Sequence, residues 1–316
     1  MKAIENTGRP HGPLLAAETA WAKVNLSLQI TGRRSDGYHE LSSLVVFADI
    51  GDRLEIFGAE APQLSIQGPY AGALDAGEDN LVRRAARDFC ALAGLPDRFA
   101  IVLTKTLPVA AGVGGGSADA AAVLRGLAGL AAETPDAAAL HDLALSLGAD
   151  VPACLASQPL IMSGIGEVLK PMACLPRVAM VLANPGVPLS TAAVFQRRDA
   201  PYSRVDEVPP PADLEGLLSW LASRGNDLED PARALCPEVA QVLEALSATA
   251  GCRLARMSGS GATCFALYEE AAQAEAAARV MKDEGKGWWV VATGLHKDGQ
   301  REGDPPDDGL SAAAVE

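Results

Sequence analysis

The stretch Pro108-Val-Ala-Ala-Gly-Val-Gly-Gly-Gly-Ser-Ala-Asp-Ala-Ala121 decides the fold. It places four glycines between the apolar run Phe99-Ala-Ile-Val-Leu103, which predicts a strand, and an alanine-rich segment that predicts a helix from Asp119 to Leu130. Glycines let the backbone approach an anion closely, and N–H groups at the start of a helix point toward the same anion. The pattern predicts a loop that binds a polyphosphate, as in a kinase, with the Ser117 hydroxyl available to a phosphate or to magnesium.

This loop differs from two well-known phosphate-binding loops. No Lys-Ser or Lys-Thr pair follows the glycines, so it is not a Walker A loop. A Rossmann loop is followed, about 20 residues on, by an acidic residue at the end of a strand. Here Glu133 and Asp136 are predicted to lie in a turn. Taken alone, the stretch could also be an ordinary tight turn between a strand and a helix.

Length, composition and charge narrow the possible classes of protein. A chain of 316 residues predicts roughly two domains of about 150 residues each. A hydrophobic fraction of 49% and a charged fraction of 21% are typical of a soluble globular protein. The net charge of −14 argues against nucleic acid and anionic membranes as partners. A phosphate site must therefore depend on backbone N–H groups and a few well-placed cations.

Four further features indicate a cytoplasmic protein with flexible ends. The six cysteines are scattered without a Cys-x-x-Cys pair, which favours buried, reduced thiols and provides no obvious zinc site. Residues Met1–Pro13 lack the apolar segment of a signal peptide and predict a flexible arm. The acidic tail at 297–316 predicts disorder. The longest uncharged run, Val178–Gln196, is interrupted by Asn184, Pro185, Gly186 and Pro188, and so predicts a strand, a turn and a helix rather than a membrane span.

The periodicity of apolar residues predicts two α+β units, at 14–158 and 159–296. In the first unit, alternation between Glu18 and Phe57 predicts an antiparallel sheet, with strands that include Leu44–Phe47 and Leu54–Phe57. The other predicted elements are helices at Asn80–Ala93, Asp136–Leu147, Asp213–Ser223, Pro237–Ala250 and Ala271–Glu284, strands at Val178–Ala183 and Trp288–Thr293, and a segment Leu254–Tyr268 that contains a second glycine-rich turn, Ser258–Ala262.

Four short segments each carry residues suited to a ligand. In Ala22-Lys-Val-Asn25, Lys23 interrupts an apolar strand, where a buried ammonium would need an anion; alternatively it faces solvent. In Gly148-Ala-Asp-Val-Pro152, Asp150 could take a proton from a hydroxyl, or only cap a turn. Tyr38 and His39 could stack on a flat base and bond its edge, or form an exposed hairpin. The turn Ser258–Ala262 could touch a phosphate or base, or be an ordinary loop.

Together these segments resemble the three motifs of the GHMP small-molecule kinases over about residues 20 to 296. The matching residues are Lys23, the loop Gly112-Val-Gly-Gly-Gly-Ser-Ala-Asp119, Gly148–Pro152 and Ser258-Gly-Ser-Gly-Ala-Thr-Cys-Phe265. The segment Thr31-Gly-Arg-Arg-Ser-Asp-Gly-Tyr-His39 resembles the branch that acts on a CDP-linked methylerythritol. The resemblance implies an α+β, two-domain GHMP kinase fold, with a ribosomal S5 domain 2-like N-terminal domain and a ferredoxin-like C-terminal domain. It places the active site in the cleft between them.

The resemblance also implies an activity. A kinase of this branch uses ATP and Mg²⁺ to phosphorylate the 2-hydroxyl of CDP-methylerythritol, a small-molecule substrate, in the non-mevalonate route to isoprenoid precursors. The expected state is a monomer or a weak homodimer in the cytoplasm. One alternative is another GHMP small-molecule kinase, and a second is a non-catalytic nucleotide-binding relative. The second alternative is disfavoured because both Lys23 and Asp150 are present.

Residue roles follow from the resemblance alone. Asp150 corresponds to the catalytic base, and Lys23 to the lysine that orients the hydroxyl and steadies developing charge. Tyr38 and Phe195 correspond to rings that sandwich the cytosine, with His39 reading its edge. Further substrate contacts are implied for Asn25, Thr191, Gly259, Ser260 and Gly261. ATP contacts are implied for Pro108, Val109, Ala110, Ala111, Gly112, Val113, Gly114, Gly115, Gly116, Ser117 and Ala118.

Three residues depart from the pattern that these kinases usually show. Val113 stands where the loop usually has leucine, Ala118 where many relatives have a second serine, and Ala192 where a proline is frequent. The first change affects packing, the second leaves magnesium coordination to Ser117 or to waters, and the third loosens the segment that carries Phe195. The sequence identifies no further ligand for magnesium.

Overall fold

The protein is described here by a computed structural model, which covers residues 12–109, 111–172, 175–205, 208–284 and 287–296. The predicted arm, except for Gly12 and Pro13, and the predicted acidic tail lie outside these ranges. So does Ala110, one of the residues expected to contact ATP.

A seven-stranded sheet organises the first part of the chain. Its strands are β1 (Leu14–Asn25), β2 (Gln29–Arg33), β3 (His39–Gly58), β4 (Gln63–Gln67), β5 (Phe99–Thr104), β6 (Leu160–Gly164) and β7 (Val168–Pro171). The order is β4-β5-β3-β6-β7, and β1 and β2 also pair with β3. All pairings are antiparallel except β4 with β5. The predicted antiparallel sheet is confirmed, but the strands predicted at Leu44–Phe47 and Leu54–Phe57 are parts of the single strand β3.

Four helices accompany this sheet: α1 (Leu81–Ala93), α2 (Gly115–Ala128), α3 (Ala137–Leu147) and α4 (Val151–Ala156). Asn80 caps α1, because its side chain accepts a hydrogen bond from the backbone N–H of Val82. Helix α2 begins at Gly115, four residues before the predicted start at Asp119, because two of the loop glycines belong to its first turn. The glycine-rich loop is therefore shorter than predicted, and its last residues have helical backbone geometry.

A four-stranded antiparallel sheet organises the second part. Its strands are β8 (Ala179–Asn184), β9 (Leu254–Met257), β10 (Cys264–Tyr268) and β11 (Trp289–Gly294), in the order β11-β8-β10-β9. The helices here are α5 (Thr191–Arg197), α6 (Leu214–Ala222), α7 (Glu229–Leu235), α8 (Pro237–Ala248) and α9 (Ala271–Asp283). The succession β8, helices, β9, β10, α9, β11 and this strand order are those of the implied ferredoxin-like domain. The strand, turn and helix predicted for residues 178–196 are also confirmed.

The large sheet extends past the domain boundary predicted at residue 159. Strands β6 and β7 both follow that point, yet β6 pairs with β3 and β7 pairs with β6. Only with β8, at Ala179, does the chain enter the small sheet. The domain division itself stays a prediction.

The two parts of the chain share one packed core and are joined by buried hydrogen bonds. Residues of both sheets belong to the same cluster of buried apolar side chains, which includes Phe47, Phe89 and Tyr268. Arg256 of β9 donates hydrogen bonds to the carbonyl oxygens of Leu26 and Leu221, at 2.9 and 3.0 Å. These contacts hold the two sheets on either side of a cleft. No helix among the described residues is long and apolar enough to cross a membrane.

Candidate active site

A cavity of about 1120 Å³ lies in the cleft, and all four segments singled out in the sequence contribute to its lining. Among the implied contact residues that the structure describes, three do not line it: Val113 and Ala118 are buried in the core, and Gly261 packs against Met257 and Leu189. The predicted site residues that line the cavity are Lys23, Asn25, Tyr38, His39, Pro108, Val109, Ala111, Gly112, Gly114, Gly115, Gly116, Ser117, Asp150, Thr191, Phe195, Gly259 and Ser260.

Lys23 is buried and paired with an anion, so the alternative in which it faces solvent is wrong. Its side chain is 4% exposed, and its Nζ lies 3.1 Å from Oδ1 of Asp150 and 3.0 Å from Oδ1 of Asn25. The register between β1 and β3 shifts immediately before Lys23, an irregularity that redirects side chains. The backbone N–H of Lys23 donates to the carbonyl of Val113 in the glycine-rich loop, at 2.9 Å. The lysine is thus attached directly to that loop.

Asp150 lies on the opposite side of the ion pair, in the short connection between α3 and α4. A hydrogen bond from the backbone N–H of Val151 to the carbonyl of Gly148, 3.0 Å long, closes this turn. The Asp150 side chain is 39% exposed and faces the cavity. Its carboxylate is therefore accessible to a ligand hydroxyl while Lys23 partly compensates its charge, which is the arrangement that a general base needs.

Two glycines of the phosphate loop are required by its backbone conformation. Gly112 and Gly114 have φ of +75° and +65°, in the left-handed region that favours glycine. A Cβ on Gly114 would lie 3.2 Å from the aliphatic stem of Lys23, and one on Gly115 would lie 3.4 Å from Nζ of Lys105. The N–H groups of the first turn of α2 have no carbonyl partner within the helix. They line the cavity as a cradle suited to phosphate oxygens.

The second glycine-rich turn supports the first. The Ser258 hydroxyl accepts a hydrogen bond from the backbone N–H of Asn25 at 3.1 Å and donates one to the carbonyl of Gly112 at 3.4 Å. The backbone N–H of Thr263 donates to the carbonyl of Ala111 at 3.0 Å. Within this turn, Gly259 and Ser260 line the cavity. The turn therefore holds β1 and the phosphate loop together besides facing the ligand.

Gly112→Ala should disturb this contact between the two turns. The added Cβ would lie 2.4 Å from the carbonyl oxygen of Gly261, so one turn must move. We expect the KM for ATP to rise at least about tenfold and the free energy of unfolding to fall by about 1–3 kcal/mol. Gly186→Ala is the matched control, because Gly186 has the same φ of +75° with no atom within 4 Å of an added Cβ. If both variants raised the KM for ATP equally, backbone strain and not the contact with Gly261 would be the cause.

Aromatic residues form the far wall of the cavity. The rings of His39 and Phe195 are stacked, with centroids 5.1 Å apart and an interplanar angle of 29°. Tyr38 is 62% exposed, and Asp36 accepts a hydrogen bond from its backbone N–H at 3.1 Å. Burial lowers the pKa of His39, and the nearby cations Arg33 and Arg198 lower it further. The neutral imidazole, which has one donor and one acceptor nitrogen, is therefore favoured at this wall.

Sequence reasoning missed a buried charge cluster beneath the phosphate loop. Nζ of Lys105 bonds to Oδ2 of Asp119 at 2.7 Å and also bonds to Asp52, and all three side chains are at most 3% exposed. Oδ1 of Asp52 accepts from the backbone N–H groups of Thr106 and Leu107, at 2.6 and 2.9 Å. The cluster ties the chain entering the loop to the helix leaving it. The sequence contained one signal of this cluster: its charged residues lie within or beside apolar segments, where a buried charge needs a partner.

The cluster has an unusual charge balance, because two carboxylates share one ammonium. Burial raises the pKa of Asp119 to about 7, although Lys105 opposes this change. Burial alone would lower the pKa of Lys105, but Asp119 and Asp52 outweigh it and the pKa is raised. Lys105 therefore stays charged, and Oδ1 of Asp119 is buried without a hydrogen-bond partner.

Known proteins are similar to this chain in both sequence and fold. Residues 80–158 match the GHMP kinases N terminal domain, and residues 212–287 match the GHMP kinases C terminal domain. A 4-diphosphocytidyl-2-C-methyl-D-erythritol kinase of Parvibaculum lavamentivorans is 50% identical over 88% of this chain and 97% of its own length. A second 4-diphosphocytidyl-2-C-methyl-D-erythritol kinase, from Paramagnetospirillum magneticum, is 53% identical over 87% of this chain and 96% of its own length. The crystal structure of a 4-(cytidine 5'-diphospho)-2C-methyl-D-erythritol kinase is 37% identical, with a TM-score of 0.72, and the match covers 89% of this chain and 100% of that one.

Proposed function

The chain belongs to the 4-diphosphocytidyl-2-C-methyl-D-erythritol kinase family of the GHMP kinases, and we propose that it transfers the γ-phosphoryl group of ATP to the 2-hydroxyl of that cytidyl substrate. The products are the 2-phosphate and ADP. The observation that carries the proposal is the ion pair between Lys23 and Asp150, 3.1 Å long, beside a glycine cradle in one cavity. The proposal assigns the base, the cation and the phosphate site to this one cavity.

The transfer needs positioning and charge neutralisation more than covalent chemistry from the protein. The 2-hydroxyl oxygen attacks the γ-phosphorus, its proton passes to the Asp150 carboxylate, and the bond to the ADP oxygen breaks. Asn25 and Asp150 accept two of the three N–H donors of Lys23. We assign the third to an oxygen of the transferred group, where a fixed cation stabilises developing negative charge.

Magnesium fits the start of α2. No group of three or more His, Cys, Asp or Glu among the described residues could hold a metal by itself. Mg²⁺ commonly binds one or two protein oxygens together with nucleotide phosphates. Ser117 and Asp119, near the start of α2, both line the cavity, and Oδ1 of Asp119 has no hydrogen-bond partner. We assign these two residues to Mg²⁺, which when bound would neutralise phosphate charge.

The aromatic wall supports the cytidyl part of the proposal. Tyr38, His39 and Phe195 line one end of the cavity that Lys23 and Asp150 also line. A base stacked against Tyr38 and Phe195 would present its polar edge to His39, whose neutral ring offers a donor and an acceptor. Thr191, hydrogen-bonded to Ser260 at 2.8 Å, lies between this wall and the second turn. We assign it to the diphosphate or methylerythritol part.

The acceptor is tested by ADP release with ATP and Mg²⁺. The cytidyl substrate should support turnover, whereas mevalonate, homoserine and galactose should not. Tyr38→Ala should raise the KM for the cytidyl substrate about 10- to 100-fold, because a stacked base contributes about 1–3 kcal/mol. Tyr38→Phe should change it by less than about threefold and serves as the control, because it keeps the ring. Turnover with another acceptor, or equal KM values for the two variants, would contradict the proposed substrate.

Two points stay predictions from the sequence. The cytoplasmic location follows from the expectation of reduced, unpaired cysteines, and the five cysteines among the described residues are free. The expected monomeric or weakly dimeric state is not tested by a structure of one chain. Sedimentation of the purified protein would decide the second point.

A further inference from the structure

A chain of buried hydrogen bonds leads from Lys23 away from the cavity. Nζ of Lys23 donates to Oδ1 of Asn25 at 3.0 Å, and Nδ2 of Asn25 donates to the Ser43 hydroxyl at 2.7 Å. The Ser43 hydroxyl donates to the carbonyl of Ser27 at 2.6 Å. All four residues are at most 4% exposed, and Ser43 does not line the cavity. Ser43 therefore contacts the ligand site only through Asn25.

The direction of this chain follows from the donors available. A carbonyl oxygen can only accept, so the single proton of the Ser43 hydroxyl is given to Ser27. Ser43 must then accept from Asn25, which places the amide nitrogen of Asn25 toward Ser43 and its oxygen toward Lys23. The reverse orientation would leave a buried donor facing an ammonium, and two groups would lose their partners.

The Ser27 carbonyl, at which this chain of hydrogen bonds ends, is held in place by hydrogen bonds on both sides. The backbone N–H of Leu44 donates to the Ser27 hydroxyl at 3.2 Å, and the backbone N–H of Leu26 donates to the carbonyl of Leu44 at 2.8 Å. These bonds join the end of β1 to β3 on both sides of the Ser27 carbonyl. The orientation of the Asn25 amide is thus determined by the backbone of the large sheet.

We propose that Ser43 is a positioning residue for phosphoryl transfer, which orients the Asn25 amide so that its oxygen holds the Lys23 ammonium beside Asp150. The inference rests on the proposed function, because that function assigns the third N–H donor of Lys23 to the transferred phosphoryl group. Without Ser43 the amide can turn, and Lys23 loses one of two acceptors. Misplacing a catalytic group by about 1 Å can cost about a hundredfold in rate.

Threonine and valine at position 43 separate the hydroxyl from packing, because they have nearly the same shape. We expect Ser43→Thr to keep kcat within about threefold of the original chain, and Ser43→Val and Ser43→Ala to lower kcat about 10- to 100-fold. The KM values for ATP and the acceptor should change by less than about threefold. Thermal unfolding of each variant checks folding. Equal kcat for the threonine and valine variants, both folded, would overturn the proposal.

A double-mutant cycle with Asn25→Asp tests the mechanism. A carboxylate presents an oxygen to Lys23 in either orientation, so it needs no partner to turn it. In the Asn25→Asp chain, replacing Ser43 by valine should therefore lower kcat less than about threefold relative to Asn25→Asp alone. The same 10- to 100-fold loss in both backgrounds would mean that Ser43 acts through packing, and would overturn the proposal.

A measurement without turnover separates this inference from the proposed function. In spectra of the labelled protein, the side-chain amide protons of Asn25 should show nuclear Overhauser effects to the β protons of Ser43. Amide protons that are instead near the ε protons of Lys23 would overturn the inference. A chain inactive on the cytidyl substrate would overturn only the proposed function.

Discussion

Asp150→Asn should lower kcat by about 10²- to 10⁴-fold, the range that a general base contributes. The amide has nearly the same shape as the carboxylate, but it cannot accept the proton of the 2-hydroxyl. Its oxygen can still accept from Lys23, which lies 3.1 Å away in the original chain. We therefore expect the KM for ATP to change by less than about threefold, because the glycine cradle is untouched. Steady-state kinetics of ADP release measures both quantities.

A matched control is an exposed aspartate outside the lining of the cavity. Asp36→Asn replaces another exposed aspartate, whose Oδ1 accepts only from the backbone N–H of Tyr38 and whose Oδ2 pairs with Arg34. Because it touches no reacting atom in the proposed mechanism, kcat should stay within about threefold. A kcat for Asp150→Asn close to that of the original chain would exclude Asp150 as the base. Thermal unfolding should show that both variants are folded.

Lys105→Met should destabilise the protein by about 3–5 kcal/mol, because it leaves two buried carboxylates without their shared ammonium. Asp52 is fully buried, and Asp119 is 3% exposed on its side chain. Asp52 cannot regain water without opening the loop, whereas Asp119 lies at the lining of the cavity. The free energy of unfolding in urea measures the loss. Lys282→Met, at an exposed position of α9, should change that free energy by less than about 0.5 kcal/mol.

The double variant Lys105→Met/Asp119→Asn tests whether charge is the cause. It removes one of the two carboxylates and so should recover part of the lost stability, about 1–3 kcal/mol. If the double variant is no more stable than Lys105→Met, the loss comes from packing around the lysine stem. Asp119→Asn alone should also weaken Mg²⁺-dependent nucleotide binding, since it replaces an oxygen assigned to the metal.

Local features of the fold were predictable because they depend on residues close together in the chain. Asn80 caps α1 and Gly94 ends it in a left-handed conformation, as the residue types require. Alternating apolar residues identified the strands around Lys23, and the glycines identified the phosphate cradle. The start of α2 was missed because glycine has low helix propensity, which the surrounding packing overrides.

The sequence by itself determined the family, most of the helices and strands and the residue types of the site, since each depends on short motifs and local periodicity. Only the tertiary structure decided how distant residues meet. It pairs Lys105 with Asp52 and Asp119, places β6 and β7 on the large sheet, and sets the orientation of the Asn25 amide through Ser43. These contacts arise because burial forces each charge and each polar donor to find a partner, and that partner can lie anywhere along the chain.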